Sequence, residues 1–413
     1  MRNRWVETTL GEVTAVNPGR LNGVSPDEVI RYVDISSVSW DGGIDVRSLA
    51  AMPFGQAPGR ARRPINEKDV VVSTVRPRLR AMGQVPPSLA GQVASTGLCV
   101  LRPHDPQVIL PDYVWQVVRH QPFTDWLVER ETGSNYPAVR SSDIEAYRFL
   151  LPPIEEQRRI VDLMSHVDDL IALNEFEVSK QHALRSVVLE DGLADAEDGQ
   201  TRLGDLTASV IGGTWGSPPG EREVEVVSFG TKAFIGEVQY LDPSSGASRS
   251  LSATQYAKRE LLSGDVVLEV SGGSPTQLVG RTLLVREDLP GVVPSSFMRR
   301  IRVNREQALP RYFHLLTQWL YQSGAVEALQ PNTTSIRNLK VPLYLDLPVP
   351  SLPLHLQADL VERIDAMDDA IESSVSDLTA LRSSRTSLLA TLLSGEHSIP
   401  SSYDEFISDE GAA

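Results

Sequence analysis

The sequence predicts an α+β protein made of two similar halves, each a mixed domain followed by one long helix, related by a pseudo-twofold axis. Two observations predict it. A stretch from Leu151 to Ile171, LPPIEEQRRIVDLMSHVDDLI, returns from Leu352 as LPLHLQADLVERIDAMDDAI. At a constant offset and without a gap, Pro353 falls on Pro153, Gln357 on Gln157, Asp368 and Asp369 on Asp168 and Asp169, and Ile371 on Ile171. Further on, Arg385, Leu389 and Leu393 meet Arg185, Leu189 and Leu193. The blocks that precede the two copies also open alike, with Leu-Gly-acid at Leu10 and at Leu203. Two copies are too few for a solenoid, which needs at least three stacked units.

Taken in order, the chain divides into a first mixed domain (1–150), a central helix (151–195), a second mixed domain (196–348), a C-terminal helix (349–395) and a tail (396–413). In the first domain, VIRYVDISSV, DVVVSTV and GLCVLR are short β-branched runs bounded by Gly, Pro and Asp, the signature of strands. EVEVVSFG, GDVVLEVSGG and RTLLVR play that part in the second. A helix opening on Pro-x-Tyr follows in each, at Pro111 and at Pro310. The long helices start at prolines, whose fixed φ and missing N–H suit only the first turn. Glu155 and Glu156 then sit at the positive end of the helix dipole. Ile160, Met164, Val167, Ile171 and Val178 form one apolar stripe, and Leu360, Ile364, Met367, Ile371, Leu378 and Leu381 the other, both at coiled-coil spacing. Asn174, Gln181 and Ser374 interrupt these stripes, as register-setting polar residues do and as a partly solvated seam does. A helix from Ile154 to Leu189 spans roughly 54 Å, a length suited to a spacer.

The net charge of −15 is unevenly spread. Residues 1–150 carry 17 basic against 16 acidic groups, and residues 201–350 carry 15 against 14. Residues 151–200 carry 4 against 12, and residues 351–413 carry 3 against 12. Acidity belongs to the helices and the tail, which predicts different partners for helices and domains. No run approaches the length of a membrane span, and a single cysteine, Cys99, rules out an internal disulfide framework. A reducing cytoplasm is the expected location.

Candidate binding residues cluster in both domains. Arg60, Arg62 and Arg63 lie close together, and Arg76, Arg78 and Arg80 alternate through VRPRLR, a spacing that puts all three on one face of an extended segment. Lys258 and Arg259, then Arg299 and Arg300 with Arg302 and Arg305 behind them, repeat the theme. Arginine grips phosphate bidentately and reads guanine, so such rows suit DNA, while a solvated strand face is the plainer reading. The loops after the Pro-x-Tyr helices offer Ser134, Asn135 and Tyr136 in one domain and Asn332, Thr333 and Thr334 in the other. These groups bond phosphate oxygens or base edges, and they also cap helices and make turns. Ile160, Met164, Ile171, Leu360, Ile364 and Ile371 are the candidates for holding protein partners on the helices.

Catalytic signatures are missing. There is no Walker A loop and no Asn/Asp-Pro-Pro-aromatic motif of an amino-methyltransferase. None of the five lysines, Lys68, Lys180, Lys232, Lys258 and Lys340, has an acid two residues before it, as common metal nucleases require. Seven histidines are scattered without ligand spacing. Gly-Gly-Thr-Trp-Gly from Gly212 and Ser-Gly-Gly-Ser from Ser271 read either as anion-binding turns or as plain turns between strands.

The double repeat, LPPIEEQRRIV at the central helix, STGLCVLRP, and LLSGEHSIPSSYD near the carboxyl end resemble the specificity subunit of type I restriction-modification enzymes. The second helix start departs from the pattern, with Leu354, His355 and Leu356 where the first has Ile154 and the paired glutamates. The resemblance implies two target recognition domains, each reading half of a split, asymmetric site in double-stranded DNA. It also implies that the helices pair antiparallel, set the spacing and hold two copies of a DNA methyltransferase subunit, with an ATP-dependent restriction subunit as an optional further member. On that reading the chain is not an enzyme and carries no cofactor; S-adenosylmethionine, ATP and magnesium belong to the partner subunits. A scaffold of the same ancestry without DNA binding is the alternative.

Overall fold

A computed structural model describes residues 5–407 apart from 20, 22, 40–42, 195–198, 235–245, 273–276 and 331–335. Its two compact units are Met1–Glu175 with Asp377–Ala413, and Phe176–Ser376. The division cuts both long helices in the middle, whereas the sequence reading placed boundaries at their ends. Each half-helix buries its apolar side against the mixed domain nearest to it, so contacts group that way. The central helix runs Ile154–Ala194 and the C-terminal helix Leu354–Leu393.

The first unit contains two four-stranded sheets. One has the order Thr14–Val16, Leu98–Pro103, Val70–Ser73, Met82–Gln84, antiparallel throughout. The other orders Ala51–Pro53, Val29–Val33, Gln92–Ser95 and Ala61–Ile65, with one parallel pair in which Tyr32 faces Val93. The runs VIRYV, VVVS and LCVLRP form strands as their β-branched content predicts. Helix Pro111–Arg119 buries Tyr113, Val114, Val117 and Val118. They join Ile160 and Met164 of the central helix and Leu389 and Leu392 of the C-terminal helix in one core.

The second unit repeats this plan. Thr207–Gly212, Met298–Val303, Asp265–Glu269 and Thr282–Leu284 form the antiparallel sheet, and Val224–Phe229 again pairs in parallel, with Val292–Pro294. Helix Pro310–Gln322 packs with Leu189, Leu193, Leu360 and Ile364. The antiparallel sheets carry equivalent bidentate ion pairs, Arg102 to Asp69 at 2.7 Å and Arg302 to Asp265 at 2.8 Å.

Within each unit the halves of the two long helices run antiparallel, as successive contacts show. In the first, Arg385 bonds Asp168 at 2.6 Å and Arg382 bonds Glu175 at 2.6 Å. In the second, Arg185 bonds Asp368, and Gly192 lies against Leu360 so closely that a Cβ there would collide with it. Equivalent positions of the repeat are thus joined crosswise: the Asp of one copy takes the Arg of the other. Two buried glutamines fasten domain to helix in the same way. Gln157 accepts from Leu110 N (2.9 Å) and donates to the carbonyls of Val108 and Pro152 (both 2.9 Å). Gln357 accepts from Leu309 N (2.8 Å) and donates to those of Gln307 (2.9 Å) and Leu352 (2.8 Å).

The stripe residues expected to hold partners are used internally. Ile160, Met164 and Ile364 are wholly buried, and Leu360 and Ile371 are 1% exposed. Ile171 is half-buried beside Trp115 and Arg119. Any partner must use the opposite faces of the helices, because these side chains already fill the chain's own cores.

Candidate nucleic-acid interface

In the first unit the connection between strands Val70–Ser73 and Met82–Gln84 carries Arg76, Arg78 and Arg80. It is not an extended row. Pro77 starts a single 3-10 turn, Pro77–Leu79, flanked by Arg76 at φ 48° and Arg80 at φ 52°. Left-handed conformations of non-glycine residues cost about 1–3 kcal/mol each and tend to gather at functional sites. The turn sends the three arginines to different places. Arg76 lies over the Tyr136 ring, 5.0 Å from its centroid, with Nη2 3.5 Å from the Asn135 carbonyl. Arg78 donates to Glu131 at 2.9 Å. Arg80 turns inward, to Gln121 at 2.7 Å and the Arg119 carbonyl at 2.6 Å, and burial lowers its pKa.

Loop 132–139 folds over the same turn. Thr132 and Ala138 bond each other's backbone, Gly133 at φ 94° makes the tight bend, and Arg76 N donates to the Pro137 carbonyl at 2.7 Å. The arginine turn and the polar loop, separate candidates in the sequence, therefore form one patch. Ser134, Asn135 and Tyr136 are exposed, Tyr136 by 72%. An aromatic face beside arginine and free amide groups can stack a base or grip a phosphate.

On strand Ala61–Ile65 alternation sorts the other cluster. Arg60 and Arg62 are exposed, with Arg60 3.6 Å from Asp34. Arg63 points inward, bonding the Leu98 carbonyl at 2.6 Å and the side chain of Asn17, and burial lowers its pKa. Arg63 and Arg80 are structural, contrary to expectation, because their donors are consumed by the fold.

The second unit gives a less complete picture, since Asn332, Thr333 and Thr334 lie outside the described residues. Lys258 is exposed at the end of the short helix Ala253–Arg259, and Arg259 donates to the Gly212 carbonyl at 2.8 Å. Arg300 is 4% exposed; burial lowers its pKa, and it lies against Asp265 and Ser209, so it too is structural. Arg299 is half-buried on the same strand and crowds Gly212. A Cβ on Gly213 would strike the carbonyls of Pro294 and Ser295. These glycines are explained by close backbone approach, so they favour the plain-turn reading. Beside them Trp215 and Phe297 meet edge to face at 5.6 Å, 39% and 36% exposed. Sequence reasoning missed this pair, whose members lie far apart in the chain; an exposed tryptophan in a glycine turn was the available signal.

The patch of the first unit is wired to its helices. Arg80 holds the Arg119 carbonyl, Arg119 bonds Asp168 at 2.6 Å, and Asp168 bonds Arg385. Burial raises the Asp168 pKa, but the hydrogen bond from Arg385 and the charge of Arg119 outweigh it, and the carboxyl lies below its ordinary value.

Fold and patch define a class: a two-unit binding protein, each unit a mixed domain clamped on an antiparallel helix pair. Residues 59–181, which include the patch, match the family described as the type I restriction modification DNA specificity domain. The chain is 24% identical over 119 residues to the type I restriction enzyme HindI specificity subunit of Haemophilus influenzae, a match covering 28% of this chain and 26% of that relative's length. A chain solved in work on complex assembly and conformational transition of the type I R-M system shares its fold, with a TM-score of 0.60, 23% identity, and coverage of 94% of this chain and 97% of that one.

Proposed function

We propose that this chain is the DNA specificity subunit of a type I restriction-modification complex. Each mixed domain reads one half of a bipartite, asymmetric site in double-stranded DNA. The helices hold two copies of a methyltransferase subunit, and an ATP-dependent restriction subunit joins where the system has one. S-adenosylmethionine, ATP and magnesium are then partner cofactors, and this chain supplies recognition, not chemistry. No helix among the described residues is long and apolar enough to cross a membrane.

The observation that carries this reading is the joining of Arg76 and loop residues Ser134–Tyr136 in one strained, exposed patch inside the family-matched region. A scaffold without DNA binding would gain nothing from holding Arg76 left-handed against an exposed Tyr136. Gel-shift titration of the chain with its methyltransferase subunit on a duplex library tests it. Selection of a two-part site is expected, with Tyr136→Ala losing preference in one half alone. Equal binding to all duplexes would contradict the reading.

A further inference from the structure

In the first unit a cleft of about 490 Å³ lies where helix Pro111–Arg119 and the turn ending at Arg80 face the paired long helices. That volume is within the roughly 300–1,000 Å³ of small-ligand sites. Arg80, Arg119, Arg382 and Arg385 line it, against Asp168 and Glu175. Arg119 and Arg385 share Asp168, each at 2.6 Å, and Arg382 takes Glu175. Arg80 has no carboxylate of its own. Its terminal nitrogens bond Gln121 and the Arg119 carbonyl, and its Nε is buried without a partner. Asp125, bonded to Gln121 and outside the lining, acts on Arg80 by charge alone. The guanidinium groups also oppose one another. Burial and then the charge of Arg385 lower the pKa of Arg119, and burial and then the charge of Arg80 lower that of His120, which lines the cleft too. Like charges held together without enough counter-charge cost free energy that a bound anion recovers.

The fold does not require this surplus, because the second unit is built without it. Asp368 there also takes two arginines, Arg185 and Arg311. Along the repeat, Arg185 is the counterpart of Arg385, but His182 stands in the place of Arg382 and Val375 in that of Glu175. Counted from the Pro-x-Tyr starts, Gln318 replaces Arg119. Counted from strands Met82–Gln84 and Thr282–Leu284, Gly280 replaces Arg80. Ile371 is 1% exposed, whereas Ile171, on the cleft, is half-buried. The first unit has thus kept open, and lined with arginine, a place that its twin closes.

We propose that this cleft binds a small anion through its phosphate group, supplied by free phosphate or by a nucleotide, with Arg382 as a direct donor at the rim. Arg382 spends one nitrogen, Nη2, on Glu175 and keeps the rest of its fork for a ligand. A phosphate group brings about two negative charges and three acceptor oxygens, which forked guanidinium donors match. The inference does not rest on DNA recognition, so its failure leaves the proposed function standing.

The test is calorimetry on the full-length chain at pH 8, in buffer free of phosphate and sulfate, with inorganic phosphate and magnesium-free ATP titrated separately. Saturable binding of one anion per chain, tighter than about 1 mM, is expected. Tighter binding of ATP than of phosphate assigns a nucleotide; equal binding assigns the bare phosphate group. Arg382→His and Arg119→Gln, which install the second unit's residues, should each weaken binding at least about tenfold. Arg31→Gln, at an exposed arginine elsewhere in the unit, should not. The His120 ring signals should shift in NMR spectra when the anion binds. Circular dichroism checks folding; if Arg119→Gln unfolds, the exposed Arg382→His still decides. No saturable binding of either probe would overturn the inference, as would binding that both variants leave unchanged or that leaves His120 unmoved. A short duplex that displaces the bound probe would make the group a DNA backbone phosphate and overturn the small-ligand assignment.

Discussion

Replacing Gln157 by leucine is expected to loosen the first unit while sparing the second. The side chain is wholly buried and serves three backbone groups: Leu110 N, the Val108 carbonyl and the Pro152 carbonyl, each at 2.9 Å. Leucine has nearly the same size, so no large cavity forms, but all three groups lose their partner. An unsatisfied buried polar group costs roughly 1–3 kcal/mol. Three together cost about 3–9 kcal/mol, which extra apolar burial offsets by only about 1 kcal/mol. The affected groups lie before the Pro111 helix and before the central helix, so the damage is to the clamp between domain and helix. Amide hydrogen exchange read separately for the two units is the suitable assay, because a two-unit chain need not unfold in one step. Protection should fall about 30-fold or more around Tyr113 and Ile160 and stay unchanged around Tyr312 and Ile364. Gln357→Leu should produce the mirror result. A change below about 1 kcal/mol in the first unit, or equal changes in both, would refute the reasoning.

Three further outcomes are expected. Arg76→Ala should weaken DNA binding and reduce the salt slope by about 0.9 if the guanidinium meets a phosphate, whereas Arg80→Ala should lower thermal stability, because its donors are used inside the fold. His314 is buried, and burial with the nearby charge of Arg311 lowers its pKa from 6.5 to about 3. The unfolded imidazole takes a proton below pH 6.5 while the folded one resists it, so stability present above that pH declines as pH falls toward 3, by up to about 1.4 kcal/mol per unit; urea titrations should show this slope in the second unit and lose it in His314→Gln. Inserting seven residues after Glu175 and seven after Ser376 adds about 10 Å of helix. If the helices are the ruler, the unread gap should widen by about three base pairs with both half-sites unchanged; binding that keeps the original gap would show they are not.

The repeat made much of the fold legible. Its offset identifies Gln157 with Gln357, Asp168 with Asp368 and Arg185 with Arg385, and each pair occupies equivalent places in the fold. Equivalence does not reveal partners, however. That Asp168 bonds Arg385, and not Arg185, follows from the antiparallel course of the helices, a long-range property that local spacing does not encode. The apolar stripes announce burial without saying against what: spacing alone suits Ile160 and Ile364 to a partner, whereas their own domains cover them. VRPRLR looked extended by alternation alone. Proline's fixed φ and two left-handed arginines made it a turn, and that turn places Arg76 against Tyr136, a contact no one-dimensional pattern contains.

On the proposed function, this chain alone decides which DNA its complex recognises. Single-molecule sequencing that maps methylated adenines in host cells, with the intact chain and with Arg76→Ala plus Tyr136→Ala, tests it most directly. One bipartite, asymmetric motif with a fixed unread gap is expected, with relaxed methylation confined to one half of it in the variant. Identical methylation with the intact and altered chains, or a motif without two separated halves, would contradict it.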